Sequence, residues 1–329
     1  MKLKVQFLSA LLLVLLSSCS LMHDDLSQCR RELRVSFRYD MNMKFADAFA
    51  NEVKRVTLYA YAADGSLAMQ KTESARAITA RGGYMTLDGL APAHYRLIAW
   101  AEGEQRHADS YDYGTPSSTA SSADVLTCRI RRSTRDISHD LTPLYHGLLT
   151  DADLTMSGYG VKSVTMPLTK DTNVIRVVLQ NASGKRLSKD DFSFSIDDDN
   201  SWLACDNSPL SDDSITYRPW SVYDGTAGDT LSTAVSAVVA ETTVNRLFTS
   251  KSPRLQVRNN HNGKTVFNIP LIDYILLVKG NYHRAMSDQE YLDRQDEYDF
   301  VFFLDDNRNW LSASILVNSW RVVPSDIEM

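Results

Sequence analysis

The chain has little of what enzymes and nucleic-acid binders carry. No nucleophile elbow (GxSxG), zinc helix (HExxH), phosphate loop or dinucleotide turn (GxGxxG) occurs in its 329 residues. Its seven histidines, His23, His94, His107, His139, His146, His261 and His283, are never paired at metal-ligand spacing. His146, between Tyr145 and Gly147, reads as a hydrogen-bonded strand residue rather than a base. Asp197-Asp198-Asp199-Asn200 fails as a calcium loop, because Trp202 stands where an EF-hand requires glycine, and a hairpin turn is expected instead. No Lys/Arg cluster is dense enough to follow a phosphate backbone and the net charge is -6, so nucleic acid is not an expected partner. No catalytic residue, cofactor or metal site is expected, and the chain does not read as an enzyme.

Cysteine is scarce as well: Cys19, Cys29, Cys128 and Cys205, too far apart for CxxC chemistry or a clustered zinc site. The first of them is special. Lys2 and Lys4 precede an apolar run, Phe7-Leu8 and Ala10 to Leu16, too short to span a bilayer. Leu16-Ser17-Ser18-Cys19 then resembles a bacterial lipobox, in which the cysteine is acylated and becomes the new N-terminus. The expectation is a signal peptide over 1–18 and lipidation of Cys19, palmitate included, followed by a tether over 19–32. Several acyl chains, at about 0.8 kcal/mol per buried CH₂, would hold such a protein stably on a membrane. Ser20 avoids the inner-membrane retention residue, which points to the outer membrane, and Asp24-Asp25 resembles a surface-export tag. With Cys19 acylated, Cys29, Cys128 and Cys205 allow at most one disulfide, whose partners the sequence leaves open.

What the chain has in quantity is alternation. Leu33, Val35 and Phe37 against Arg34, Ser36 and Arg38 predict a half-buried strand over 33–39. Similar stretches follow with turn signals about every 8 to 12 residues, among them Asp64-Gly65, Asp88-Gly89, Ser183-Gly184 and Asn262-Gly263. That pattern is all-β. Two consecutive sandwiches are expected, over 33–160 and 161–329, with short helices at Phe45 to Val53, from Pro270 to Lys279, and from a Ser287/Glu290 capping box to Tyr298. The stretch 102–124, with almost no aliphatic content, reads as a long exposed loop with Tyr111 and Tyr113 as candidate contact residues. Trp310 and Trp320 are weighed as sugar-stacking platforms, and Trp320 reads as core.

Six blocks together resemble one family: MKFADAFANEV (Met43 to Val53), LYHG (Leu144 to Gly147), TNVIRVVLQN (Thr172 to Asn181), IPLIDYILL (Ile269 to Leu277), SDQEYLDRQDEYD (Ser287 to Asp299) and NSWRV (Asn318 to Val322). They are similar to the FimB/Mfa2 family of Bacteroidales fimbrial anchor proteins. The resemblance implies two transthyretin-like sandwiches, lipid attachment to the outer membrane at the cell surface, and a place at the base of a fimbrium (pilus), where the protein anchors the shaft and limits its length. It also implies as partners the major shaft pilin and other fimbrial subunits, joined by β-strand addition. In shaft subunits, the resemblance implies, cleavage after an arginine removes the first strand and opens a groove. Here a cut at Arg30 or Arg31 would sever the lipid, so strand one, Leu33 to Tyr39, is expected to stay. The competing expectation is a surface glycan-binding lipoprotein, which would show exposed aromatics beside a groove.

Overall fold

The computed structural model describes residues 31–117, 122–227, 235–280, 283–318 and 320–322. The expected signal peptide, Cys19, Cys29, Arg30 and the side chain of Trp320 lie outside the described residues.

The alternating stretches form strands throughout. In chain order they are β1 (Arg31–Arg38), β2 (Arg55–Tyr61), β3 (Leu67–Ser74), β4 (Tyr84–Thr86), β5 (His94–Glu102), β6 (Tyr111–Tyr113), β7 (Cys128–Ile130), β8 (Asp136–Ile137), β9 (Leu144–Asp153) and β10 (Gly160–Lys170). There follow β11 (Thr172–Asn181), β12 (Phe192–Asp198), β13 (Trp202–Leu203), β14 (Ile215–Tyr217), β15 (Ser221–Ala227), β16 (Val235–Asn245), β17 (Arg254–Asn259), β18 (Thr265–Pro270), β19 (Glu297–Leu304), β20 (Trp310–Val317) and β21 (Trp320–Val322). Among the described residues four short α-helices, α1 (Phe49–Glu52), α2 (Ala75–Ala80), α3 (Leu271–Leu277) and α4 (Asp288–Arg294), close the sheet ends.

The first sheet runs β3-β2-β5-β9-β10-β1-β4. It rolls until its edges meet, because α2 carries the chain from β3 to β4 and the Lys71 ammonium of β3 donates to Thr86 O of β4 at 2.7 Å. Leu33, Val35, Phe37, Leu58, Leu97, Tyr145, Met166 and Leu168 fill the inside, with Phe49 of α1 and Ile78 of α2 as plugs. The opposite face is buried too: Tyr59, Tyr61, Ile98 and Trp100 pack into a second core shared with the C-terminal strands. Covered on both faces, β5 is therefore buried continuously from Leu97 to Ala101 instead of alternating.

The second sandwich sets a sheet of order β15-β16-β11-β19-β20-β21 beside one of order β18-β17-β12-β14-β8, with β13-β7-β6 as a smaller third. Strand β10, expected to open the second sandwich, instead pairs with β1 and β9 in the first sheet, and pairing passes to the second sheet across Asp171. Two short strands from the earlier half cross over, β7 pairing with β13 and β8 with β14.

Local signals place several turns where expected. Gly65 at φ 83° turns β2 into β3, and Gly263 at φ 68° turns β17 into β18. Ser287 caps α4 by accepting from Glu290 N at 3.0 Å, while the Glu290 carboxylate turns forward to Arg294 at 2.8 Å instead of closing a capping box. The helix expected over Phe45 to Val53 is reduced to the single turn α1. Phe45 stands at φ 52°, outside helical conformation, and is 56% exposed.

Candidate functional site

Strand β1 lies in the sheet and not outside it. Arg31 to Arg38 pair in parallel with Gly160 to Pro167 of β10, and Arg34 to Ser36 pair antiparallel with Thr86 to Tyr84 of β4. Leu33, Val35 and Phe37 point inward and are buried, Phe37 stacking on Phe49 at 5.6 Å. Burial of each such side chain contributes about 1.5–3 kcal/mol. On the outward face Arg34 lies over the Tyr84 ring at 3.8 Å and pairs with Glu32 at 2.7 Å, which lowers the Glu32 carboxyl below its usual range. The neighbouring strand β10 packs close against a glycine of β9. A Cβ at Gly147 of β9 would lie 2.6 Å from Met166 Sδ and 2.8 Å from Leu168 Cδ2, which gives the LYHG block its physical reason.

Where β1 ends, the two halves meet. The Tyr39 hydroxyl donates to both carboxylate oxygens of Asp296 at 3.1 Å, and the Tyr145 hydroxyl donates to Glu52 at 3.1 Å. Lys170 stands between the two carboxylates, 3.4 Å from Glu52 and 3.3 Å from Asp296. Burial raises the Asp296 carboxyl, and it pushes the Tyr39 and Tyr145 phenols up as well. Above this floor opens a cleft of about 750 Å³ lined from both halves, with Lys44, Glu52, Arg106, Lys170, Arg294 and Asp296 on its walls. Arg294 reaches across it, donating to Asp40 O at 3.0 Å and lying over the Phe45 ring at 4.6 Å.

A second polar joint sits where β10 becomes β11. Asp171 is wholly buried, accepts from Asn207 Nδ2 at 2.8 Å and lies 3.8 Å from Arg246, which is held by Asp293 at 2.7 Å. Its other oxygen has no partner among the described residues, and burial pushes the carboxyl up to about 7. His146 is buried beneath Trp100, its Nε2 3.0 Å from Cys205 O, and burial lowers it to about 4, so it is neutral.

The sequence misreads the 102–124 stretch. Tyr111 and Tyr113 form β6, Tyr111 is 5% exposed, and their hydroxyls donate to Thr142 O at 2.7 Å and to Glu102 at 2.6 Å. Tyr111 is a core residue and Tyr113 is half-buried against the same core, in a segment with almost no aliphatics. Trp310 packs on Phe267 and Phe302. Asp197 to Asn200 is a partly buried corner, with Asp198 and Asn200 inside: Asn200 donates to Asn245 O at 3.1 Å and accepts from the Tyr217 hydroxyl at 2.7 Å. Cys128 and Cys205 are buried free thiols. Among the described residues no group of His, Cys, Asp and Glu could hold a metal.

Open backbone remains at the second sheet. Among the described residues no strand pairs with the outer side of β15, which carries neither lysine nor proline; Tyr223 on it and Trp220 just before it are 37% and 38% exposed. Such an edge is a template for another strand. At the far edge β21 is held over three residues, Trp320 to Val322.

A family model described as fimbrillin-A associated anchor proteins Mfa1 and Mfa2 matches residues 26–326. A candidate adhesin from Bacteroides thetaiotaomicron, 32% identical, superposes with a TM-score of 0.78, covering 91% of this chain and 99% of its own. A second protein of that organism, described as a candidate polysaccharide binder, is 29% identical with a TM-score of 0.76, over 90% and 99% of the two chains. The fimbrial anchor protein Mfa2 from Porphyromonas gingivalis, 17% identical, has the same fold at a TM-score of 0.67, over 90% and 99%. No curated protein sequence matches.

Proposed function

Because this chain belongs to the family of fimbrillin-A associated anchor proteins, we propose that it is an outer-membrane lipoprotein, acylated at Cys19, that anchors a fimbrium to the cell surface and limits its length. The observation that carries this reading is the occupied place of β1 between β10 and β4, with its apolar face buried. A subunit that keeps its first strand offers no vacant groove there to an incoming strand. Growth through that groove stops at such a subunit. Its own link to the shaft pilin then uses backbone exposed elsewhere, and the unpaired side of β15 supports strand addition at that edge.

The glycan-binding alternative loses the aromatics it relied on, since Tyr111 is buried and the Tyr113 hydroxyl is tied to Glu102. Purification in mild detergent from cells that carry the fimbrium is expected to bring down the shaft pilin. Deleting the gene is expected to give over-long, shed fibres. Cys19→Ala is expected to move the protein out of the membrane fraction. Recovery of mature, lipid-free protein starting at Glu32 or Leu33 would overturn the reading.

A further inference from the structure

We infer that the second half of the molecule locks strand β1 into the first sheet, through a latch made of Tyr39, Arg294 and Asp296. The latch deepens the anchor reading by supplying the reason the first strand stays, although it is a property of the isolated chain.

The geometry begins with direction. β1 and β10 run in parallel, Arg31 beside Gly160 and Arg38 beside Pro167, and β10 continues through Asp171 into the second sheet. The N-terminal end of β1 is therefore the end away from the second half. Its eight residues span roughly 26 Å at about 3.3 Å per residue. A pull on Arg31 would draw β1 along its own axis, against the whole ladder with β10 and against whatever holds its far end.

What holds that far end belongs to the other half. Tyr39 follows β1 directly, is fully buried, meets Tyr145 edge-on at 5.1 Å and donates to both oxygens of Asp296 at 3.1 Å. Arg294, at the end of α4, donates to Asp40 O at 3.0 Å and covers Phe45 at 4.6 Å. Asp296 is also held by Lys170 at 3.3 Å, so the latch closes onto the end of β10 as well. Withdrawing β1 would drag the buried Tyr39 ring out of the core and leave the half-buried Asp296 carboxylate without its hydroxyl donor. The ladder with β4, Arg34 to Ser36, is too short to supply this restraint alone.

Hydrogen exchange with mass readout on the full chain in detergent tests the latch. In a Tyr39→Phe/Arg294→Ala double variant, the amides of Leu33 to Phe37 are expected to exchange at least about tenfold faster, a factor that corresponds to ~1.4 kcal/mol. The amides of Ile175 to Leu179 in β11 keep their protection, and Arg131→Ala, which breaks an exposed ion pair with Asp112, changes neither stretch. Unchanged exchange over Leu33 to Phe37, or an equal rise in β11, overturns the latch. Should the double variant fail to fold, Asp296→Asn, which keeps the shape and loses the charge, is expected to raise β1 exchange a few-fold with β11 unmoved, and no rise overturns the proposal. A failed pull-down of shaft pilin would sink the anchor reading and leave these rates as they are.

Discussion

The opening strands of the two halves, β1 and β11, look alike in sequence and are held differently. Each alternates, each faces its core with three aliphatic or aromatic residues, and each runs parallel to a later strand, β1 beside β10 and β11 beside β19. Yet β11 is also clasped on its other side by β16 from Thr172 to Gln180, whereas β1 has β4 only from Arg34 to Ser36. One is a central strand with two full ladders. The other has one full ladder, a short bridge and a side-chain latch.

The largest expected effect breaks the comparison outright. Val177→Asp places a charge in the core between two full ladders, where an unpaired buried charge costs more than about 4 kcal/mol, and should abolish the folded second half. Val35→Asp is expected to expel β1 while the second half keeps its near-ultraviolet circular dichroism. Loss of that signal in both variants would show that the two strands are equally integral.

Next in size are Phe37→Ala and Phe300→Ala, each removing a buried ring at a cost of about 3–5 kcal/mol. Phe37 lies in β1, which has one full ladder, and packs against Phe49, so its cost should fall toward the lower figure; Phe300, in β19 beside the doubly paired β11, should reach the upper one. Denaturant midpoints in guanidinium measure both. The reverse order would mean that β1 is the better fixed.

Alternation made these strands legible, and turn chemistry made the hairpins so. Which residues face inward was readable at Leu33, Val35 and Phe37, but not which sheet receives them. The parallel pairing of β1 with β10 joins residues about 130 positions apart, as Arg31 with Gly160 shows, and no local pattern encodes it. The contact of Tyr39 with Asp296 lies further still along the chain, at a separation of 257. Helix α2 was missed although Ser74 caps it through Ala77 N at 3.2 Å, because six residues show too little periodicity. Scarce aliphatics point to an exposed loop over 102–124, whereas Tyr111 is buried and Tyr113 half-buried, both with satisfied hydroxyls.

The joint at Asp171 sharpens the comparison through pH. Its carboxyl is raised from 3.8 to about 7 in the folded state, so its contribution to stability is full below about pH 4 and is lost as the pH rises through 7. Three pH units set a ceiling of ~4 kcal/mol. Asp171→Asn should match the wild type near pH 4 and exceed it by about 2–4 kcal/mol at pH 8, measured by denaturant titration at both. His146, lowered to about 4, works in the opposite sense and cancels in this difference. Equal stabilities of the two proteins at pH 8 would remove Asp171 as the source.

The smallest effect on stability bears most on assembly. Tyr223 lies on β15, the strand with an open side, and its ring covers Gly225 and Val239 while its hydroxyl accepts from Arg176 at 3.0 Å. Being 37% exposed, it should cost under about 1 kcal/mol when changed to serine. A strand added along β15 would meet that ring directly. Tyr223→Ser is therefore expected to leave the melting temperature within a few degrees of the wild type and yet to lower recovery of the shaft pilin in a detergent pull-down. Full recovery with Tyr223→Ser, and loss of it when β21 is truncated before Trp320, would move the joint from the β15 edge to the opposite edge of the same sheet.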